Sequence, residues 1–369
     1  MTVATHRFQA LDSLRGLCAL MVVLFHLPIA SHFRHWGVVQ HGYLFVDFFF
    51  VLSGFVMAHS YGGRIATIGD ALRFFGRRWG RVWPLHVVIL LAFVAIELTR
   101  VWLDFDTVTP FTRDRIPEAI VSNLFLVQAL GLHDSLTWNG PAWSISVELA
   151  AYAVFAAILL FAPKRFGWIA AAIAVVGAVV VVSLAPRWMN TTYNYGLARA
   201  LCGFFIGTLT YRAWKAWPAP HAPWIQGAAA LAALIFVGFV TGPATVLAPA
   251  VFALSVWAFA QEKGPVTRAL KIRPLLALGT WSYSIYMNHM LVIILMMIWA
   301  RKQDGLIDGR AIDLGSVWLN DLAAIGVLAT IVGLSALTFR FIETPGRRAF
   351  NRWIDRFPPR GRVETLAVV

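Results

Sequence analysis

Ten stretches of about twenty predominantly apolar residues recur along the 369-residue chain, at 11–30, 43–61, 82–99, 142–162, 166–185, 193–211, 225–241, 243–261, 278–299 and 317–339. A helix of roughly 20 residues crosses the hydrocarbon core of a bilayer, where only helices and closed barrels satisfy their own backbone groups. The repetition therefore predicts an all-α, polytopic membrane protein with about ten transmembrane helices. Composition agrees, with 59% hydrophobic and 13% charged residues against about 25% charged in a soluble domain. A soluble enzyme, a disordered chain and a secreted disulfide scaffold are excluded. Cys18 and Cys202 sit in apolar runs and have neither the number nor the spacing for a bridge framework or a zinc site. The segment 117–132 is shorter and flanked by charge, which predicts an interfacial or re-entrant helix.

An even number of spans puts both termini on one side, and the excess of basic residues says which. Twenty-two Lys and Arg fall in segments on the N-terminal side. Eight fall on the other, Arg34, Arg100, Arg113, Arg115, Arg187, Arg301, Lys302 and Arg310, and Arg199 lies within a span. Both termini are thus expected in the cytoplasm. The net charge of +13 reads as topology rather than as affinity for nucleic acid. The first apolar stretch is too long for a cleaved signal and is expected to remain as a span. Residues 1–343 read as one transmembrane domain and 344–369, with Pro345, Pro358 and Pro359, as a basic, solvated cytoplasmic tail.

Ionisable groups inside a bilayer are costly, so each is a candidate for function. Arg15 and His26 are 11 residues apart, about three helical turns, which places both on one face with His26 farther from the N-terminal side. Counting from the helix ends puts Asp47 and Glu148 at a depth similar to that of His26. A carboxylate there would orient the imidazole for general-base work; the alternatives are a buried, hydrogen-bonded histidine and an Asp47 that merely caps the second helix. Ser144 shares a face with Glu148, and Ser146, Trp143 and Asn139 lie close by. Arg78 and Arg81 stand at the inner end of the third span with Arg73 and Arg77. They suit either a phosphate clamp or simple anchoring. Ser282, Tyr286 and His289 form a polar stripe in the ninth span, lining a cavity or bonding a neighbouring helix. Glu343, beside Arg340, reads as a local ion pair.

Taken in order, these residues resemble the membrane acyltransferase-3 family. The resemblance rests on Arg15 and His26 as Arg-x10-His, on Val46-Asp47-Phe48-Phe49-Phe50-Val51-Leu52-Ser53-Gly54-Phe55, and on Arg78 and Arg81 as Arg-x-x-Arg. It continues through Trp143, Ser144, Ser146 and Glu148 as Trp-Ser-x-Ser-x-Glu, and through the run from Gly279 to His289. It covers nearly the whole chain, from Ala10 to Pro345.

The resemblance implies an enzyme that moves an acyl group, acetyl by default, from acyl-CoA to a hydroxyl of a carbohydrate or glycoconjugate, with the first-span histidine essential. It implies a multi-pass protein of a bacterial cytoplasmic membrane, and a stand-alone transferase without the hydrolase-like domain fused to some members. Expected roles are His26 in catalysis, as general base or as acyl carrier, with Glu148 and Asp47 beside it, and Arg15, Arg78 and Arg81 on the acyl-CoA. Ser144, Ser146, Tyr286, His289, Trp143 and Asn139 are expected to line the cavity. No Cys/His spacing points to a metal. The competing reading is a proton-coupled transporter or flippase with His26, Asp47 and Glu148 as its relay.

Overall fold

The computed structural model describes residues 7–103, 108–218, 223–303, 305–309 and 311–356. Arg310, Arg360 and Arg362, counted above for topology, and Pro358 and Pro359 of the expected tail lie outside these.

Each expected span coincides with a helix: α1 (Gln9–His26), α2 (Phe45–Tyr61), α3 (Ile68–Leu103), α4 (Trp143–Phe161), α5 (Phe166–Leu184), α6 (Gly196–Ala216), α7 (Pro223–Phe239), α8 (Ala248–Phe259), α9 (Arg273–Ala300) and α10 (Val317–Thr338). Eight of the described helices are long and apolar enough to cross a membrane, α8 with its leading turn Gly242–Leu247 included. The other two fall short for local reasons. α6 carries Arg199, Arg212 and Lys215, and α7 has 17 residues. Strand is confined, among the described residues, to the small hairpin of Ile307–Asp308 and Ala311–Ile312. The protein is an all-α, polytopic integral membrane protein.

Side-chain pairs fix the relative directions of the helices. Arg15 meets Ser282 and His26 meets His289, so α1 and α9 run parallel. Asp47 meets Arg199 while Gly54 faces Thr208, so α2 and α6 run parallel. Ser284 meets Glu343 and Asn288 meets Ser335, so α10 returns against α9. Two contacts depend on glycine. A β-carbon on Gly16 would stand 2.6 Å from the backbone of Gly279, and one on Gly54 would collide with the carbonyl of Phe204. Without a hydrophobic drive between helices in lipid, such close backbone approach is what packing has to work with.

Two expectations change. The chain after Glu343 is not a free end over its first part, because α11 (Thr344–Asp355) lies antiparallel along the first turns of α3. Gly346 sits on Pro84, Phe350 on Gly80 and Ile354 on Gly76. An apolar face that matches a groove outweighs the solubility of the arginines around it. In the segment 117–132 only Ala119–Leu124 is helical, and the following chain turns into the bundle. His86 and Trp83 hold the Asn123 and Leu124 carbonyls at 2.8 and 3.0 Å. The Asn123 amide bonds Thr137, and Gln128 bonds the Ala142 carbonyl.

Candidate active site

Glycine contact between α1 and α9 sets Arg15 against the ninth helix, where its Nε donates to Ser282 (2.8 Å) and its Nη2 to the Gly279 carbonyl (2.9 Å). Arg15 shares a cavity with Arg78, Arg81, Glu148, Ser53, Tyr152, Ser144, Tyr283 and Tyr286. The cavity encloses about 860 Å³, part of it open to solvent. Arg78 lies over the Tyr61 ring at 5.6 Å, with its buried Nε unpartnered. Arg81 makes no ion pair with a described residue. This basic end of the bundle thus presents guanidinium groups with spare donors to a space walled by aromatic rings.

Toward the other end, His26 closes the last turn of α1. Its Nδ1 lies 2.8 Å from the Val22 carbonyl. A carbonyl only accepts, so the neutral ring carries its proton on Nδ1 and leaves the Nε2 lone pair free. His26 faces a second cavity of about 860 Å³, also partly open, with Tyr43, Arg115, Trp138, Trp143, Arg199 and Tyr286 on its walls. A further opening of about 830 Å³ reaches His26 past Arg34 and His35. The two 860 Å³ spaces share Val46 and Tyr286 as common wall. Tyr286 is fixed there, donating to the Pro141 carbonyl (3.0 Å) and accepting from Ser144 Oγ (2.9 Å).

The expected grouping of His26 with two carboxylates does not form. Asp47 is fully buried and takes a bidentate pair from Arg199, at 3.0 and 2.7 Å. It does not cap α2 either, since no side-chain capping bond is made at that end. Glu148 accepts from Ser53 (2.6 Å) and Tyr152 (2.5 Å) and belongs to the arginine cavity. The reason is the inserted segment before α4. Trp143, taken as the outer edge of the span, packs on Phe50 and beneath the Arg199 guanidinium at 5.4 Å. Glu148, five residues further on, is therefore deeper than a count from the membrane surface allows.

The remaining candidates separate as well. Trp143 lines the histidine cavity, Ser144 the arginine cavity, and Tyr286 both. Ser146 accepts from the Ala129 amide and Asn139 donates to the Met287 carbonyl, so both tie backbone and line neither cavity. His289 stands 5.1 Å from the His26 ring, with Nδ1 on the Tyr286 carbonyl and a buried, unpartnered Nε2. Glu343 accepts from Ser284 at 2.8 Å. Arg199 went unassigned, although an arginine amid the apolar residues of α6 is by itself a signal. Among the described residues no three His, Cys, Asp or Glu side chains are grouped to hold a metal.

Known proteins resemble the chain over most of its length. A family model described as an acyltransferase domain matches residues 8–340. Acyltransferase MdmB of Streptomyces mycarofaciens is 27% identical over 94% of this chain and 93% of its own. Putative membrane-bound transacylase BcsY of Komagataeibacter xylinus is 24% identical over 94% and 85%. Peptidoglycan O-acetyltransferase OatA of Listeria monocytogenes is 25% identical over 94% of this chain and 57% of its own length. No solved structure matches. With nearly its whole length matched, the chain belongs to the acyltransferase-3 family and is a membrane acyltransferase.

Proposed function

We propose that the protein O-acylates a carbohydrate or glycoconjugate hydroxyl, with acyl-CoA as donor and acetyl as the default acyl group. The donor binds at the basic end, which by the excess of positive charge is the cytoplasmic face of a bacterial inner membrane. Its phosphates meet Arg78 and Arg81, whose donors are spare, and Arg15 adds positive charge. An extended pantetheine arm on the order of 15–20 Å long carries the thioester past Val46 and Tyr286 toward His26. The acceptor hydroxyl reaches His26 from the opposite end.

The chemistry follows from the free nitrogen. Nε2 of His26 takes the hydroxyl proton as the oxygen attacks the thioester carbonyl. The C–O bond forms, the C–S bond breaks, and the thiolate of CoA receives the proton back from the imidazolium. Nδ1 keeps its proton throughout and donates it in a hydrogen bond to the Val22 carbonyl, which holds the ring in the working tautomer. Tyr286 and Ser144 stand at the junction where the oxyanion develops, and Arg199 stands across the histidine cavity. Neither Asp47 nor Glu148 acts on the ring. Asp47 holds Arg199 and the Trp143 corner in place, while Glu148 shapes the donor cavity.

One observation carries the reading: the histidine cavity and the arginine cavity have Val46 and Tyr286 in common. A proton-relay transporter would need His26, Asp47 and Glu148 in one chain of contacts, and Asp47 is occupied by Arg199 while Glu148 is occupied by Ser53 and Tyr152. The test is acyl transfer by purified protein in vesicles. His26→Ala should reduce turnover by about 10²–10⁴-fold, the range of general-base catalysis, with expression and membrane insertion retained. Turnover at the wild-type rate would remove His26 from the mechanism.

A further inference from the structure

Basic residues are scarce on the side of the bundle away from the arginine cavity, yet four of the eight, Arg100, Arg113, Arg115 and Arg301, line one cavity of about 940 Å³ that opens to solvent. Glu97, buried in the last turns of α3, pairs with Arg100 at 2.6 Å and with Arg115. Arg113 and Arg301 are exposed and form no ion pair with a described residue. Among the described residues Asp114 is the other carboxylate on the wall, so their charged lining keeps a positive excess. The loop that carries Arg113 is held in place. Phe111 and Arg113 adopt φ of 54° and 57°, the Phe111 amide donates to Glu97 (3.0 Å), and the Trp138 amide donates to the Asp114 carbonyl (2.6 Å).

Facing the arginines is a purely aliphatic wall of Met290, Ile293, Ile294, Met297 and Ile298 from α9. Leu295 and Trp299 of the same helix are exposed on the bundle surface, so the helix that bears this wall is a peripheral one with its other side outward. The cavity also adjoins the catalytic one, because Asp114, Arg115, Met290 and Ile294 line both. One wall therefore suits an anion, the other suits hydrocarbon, and the far end leads to His26.

We infer that this cavity receives the acceptor and that the acceptor is an anionic amphiphile. A phosphate-bearing headgroup engages Arg113 and Arg301, a hydrocarbon chain lies on the Met and Ile wall, and the hydroxyl to be acylated reaches His26 past Arg115. Guanidinium forks match phosphate oxygens in pairs, and methylenes laid on the aliphatic wall leave water as they would in lipid. A free, uncharged sugar would use neither wall. That the bound molecule is an acceptor rests on the acyl-transfer reading; its chemistry rests on the cavity.

The test is equilibrium binding of three probes to the full chain in nanodiscs of zwitterionic lipid: dodecyl phosphate, dodecanol and inorganic phosphate. Dodecyl phosphate should bind at least about tenfold more tightly than either fragment, and the double variant Arg113→Gln, Arg301→Gln should lose about tenfold in affinity for it. Dodecyl phosphate binding no tighter than dodecanol would overturn anion recognition. Inorganic phosphate binding as tightly as dodecyl phosphate would overturn the amphiphile. Full affinity in the double variant would overturn the assignment to these arginines. The ranking of probes on wild-type protein needs no variant and decides the matter should the double variant misfold. The expected ranking in a preparation that transfers no acyl group would break the acyl-transfer reading and keep the site. Transfer to a neutral sugar without the ranking would do the reverse.

Discussion

Arg199 and the pair Arg78 and Arg81 are the same residue type within one helical bundle, and their surroundings are opposite. Arg199 is buried and donates to both Asp47 oxygens, to the Tyr43 carbonyl (2.7 Å) and to the Thr191 carbonyl (3.0 Å), with the Trp143 ring beneath it. Arg78 and Arg81 line an open space, with an aromatic ring for one and, among the described residues, no ion pair for either. Where all three guanidinium nitrogens are engaged, as in Arg199, an arginine is part of the frame. Where donors are spare beside a cavity, it is ready for a ligand. Accounting for hydrogen bonds thus divides structure from binding more sharply than does burial or charge.

This division can be broken by experiment. The largest effect is expected at Arg199. Arg199→Met leaves Asp47 buried without a partner and should cost roughly 3–5 kcal/mol, read as lost thermal stability of the purified protein. Adding Asp47→Leu should restore much of it, since an apolar pair of similar volume often replaces a buried ion pair without loss. A single variant as stable as wild type would show that the pair is not structural. Next in size is Arg78→Ala with Arg81→Ala. Hydrogen bonds to charged groups contribute about 1.5–3 kcal/mol each, so acyl-CoA affinity should fall at least about tenfold while melting stays within about 0.5 kcal/mol of wild type. Unchanged affinity would reduce the two to topological anchors. Smallest is Tyr286→Phe, which removes the ties to Pro141 and Ser144 and should cost about 1 kcal/mol of stability. A larger drop in turnover than in stability would point to a part in the reaction for the hydroxyl.

How far the sequence reached is clear from particular residues. The spacing of Arg15 and His26 placed them on one face, and both do face α9, through Ser282 and His289. The ten apolar runs located the helices because lipid imposes a length and a composition on each. Depth was another matter. Glu148 was placed by counting inward from Trp143, and nothing in the local pattern says that the chain before Trp143 folds back into the protein, with Asn123, Gln128, Thr137 and Asn139 buried. The Asp47–Arg199 pair joins residues 152 positions apart. No local period encodes such a partner, although the presence of each charge in an apolar run announced that one was needed. The docking of α11 on α3 was hidden for a related reason: its small contacts, Gly76, Gly80 and Gly346, carry no side chain whose pattern could announce a partner.

The bond from His26 to the Val22 carbonyl joins positions four apart in one helix. An amide oxygen neither gains nor loses a proton across the range in which proteins work, so the partner that orients this imidazole is blind to acidity. The ring keeps its alignment whatever adjoining helices do as donor and acceptor come and go. Acidification silences such a base at the ring itself, not through the group that orients it.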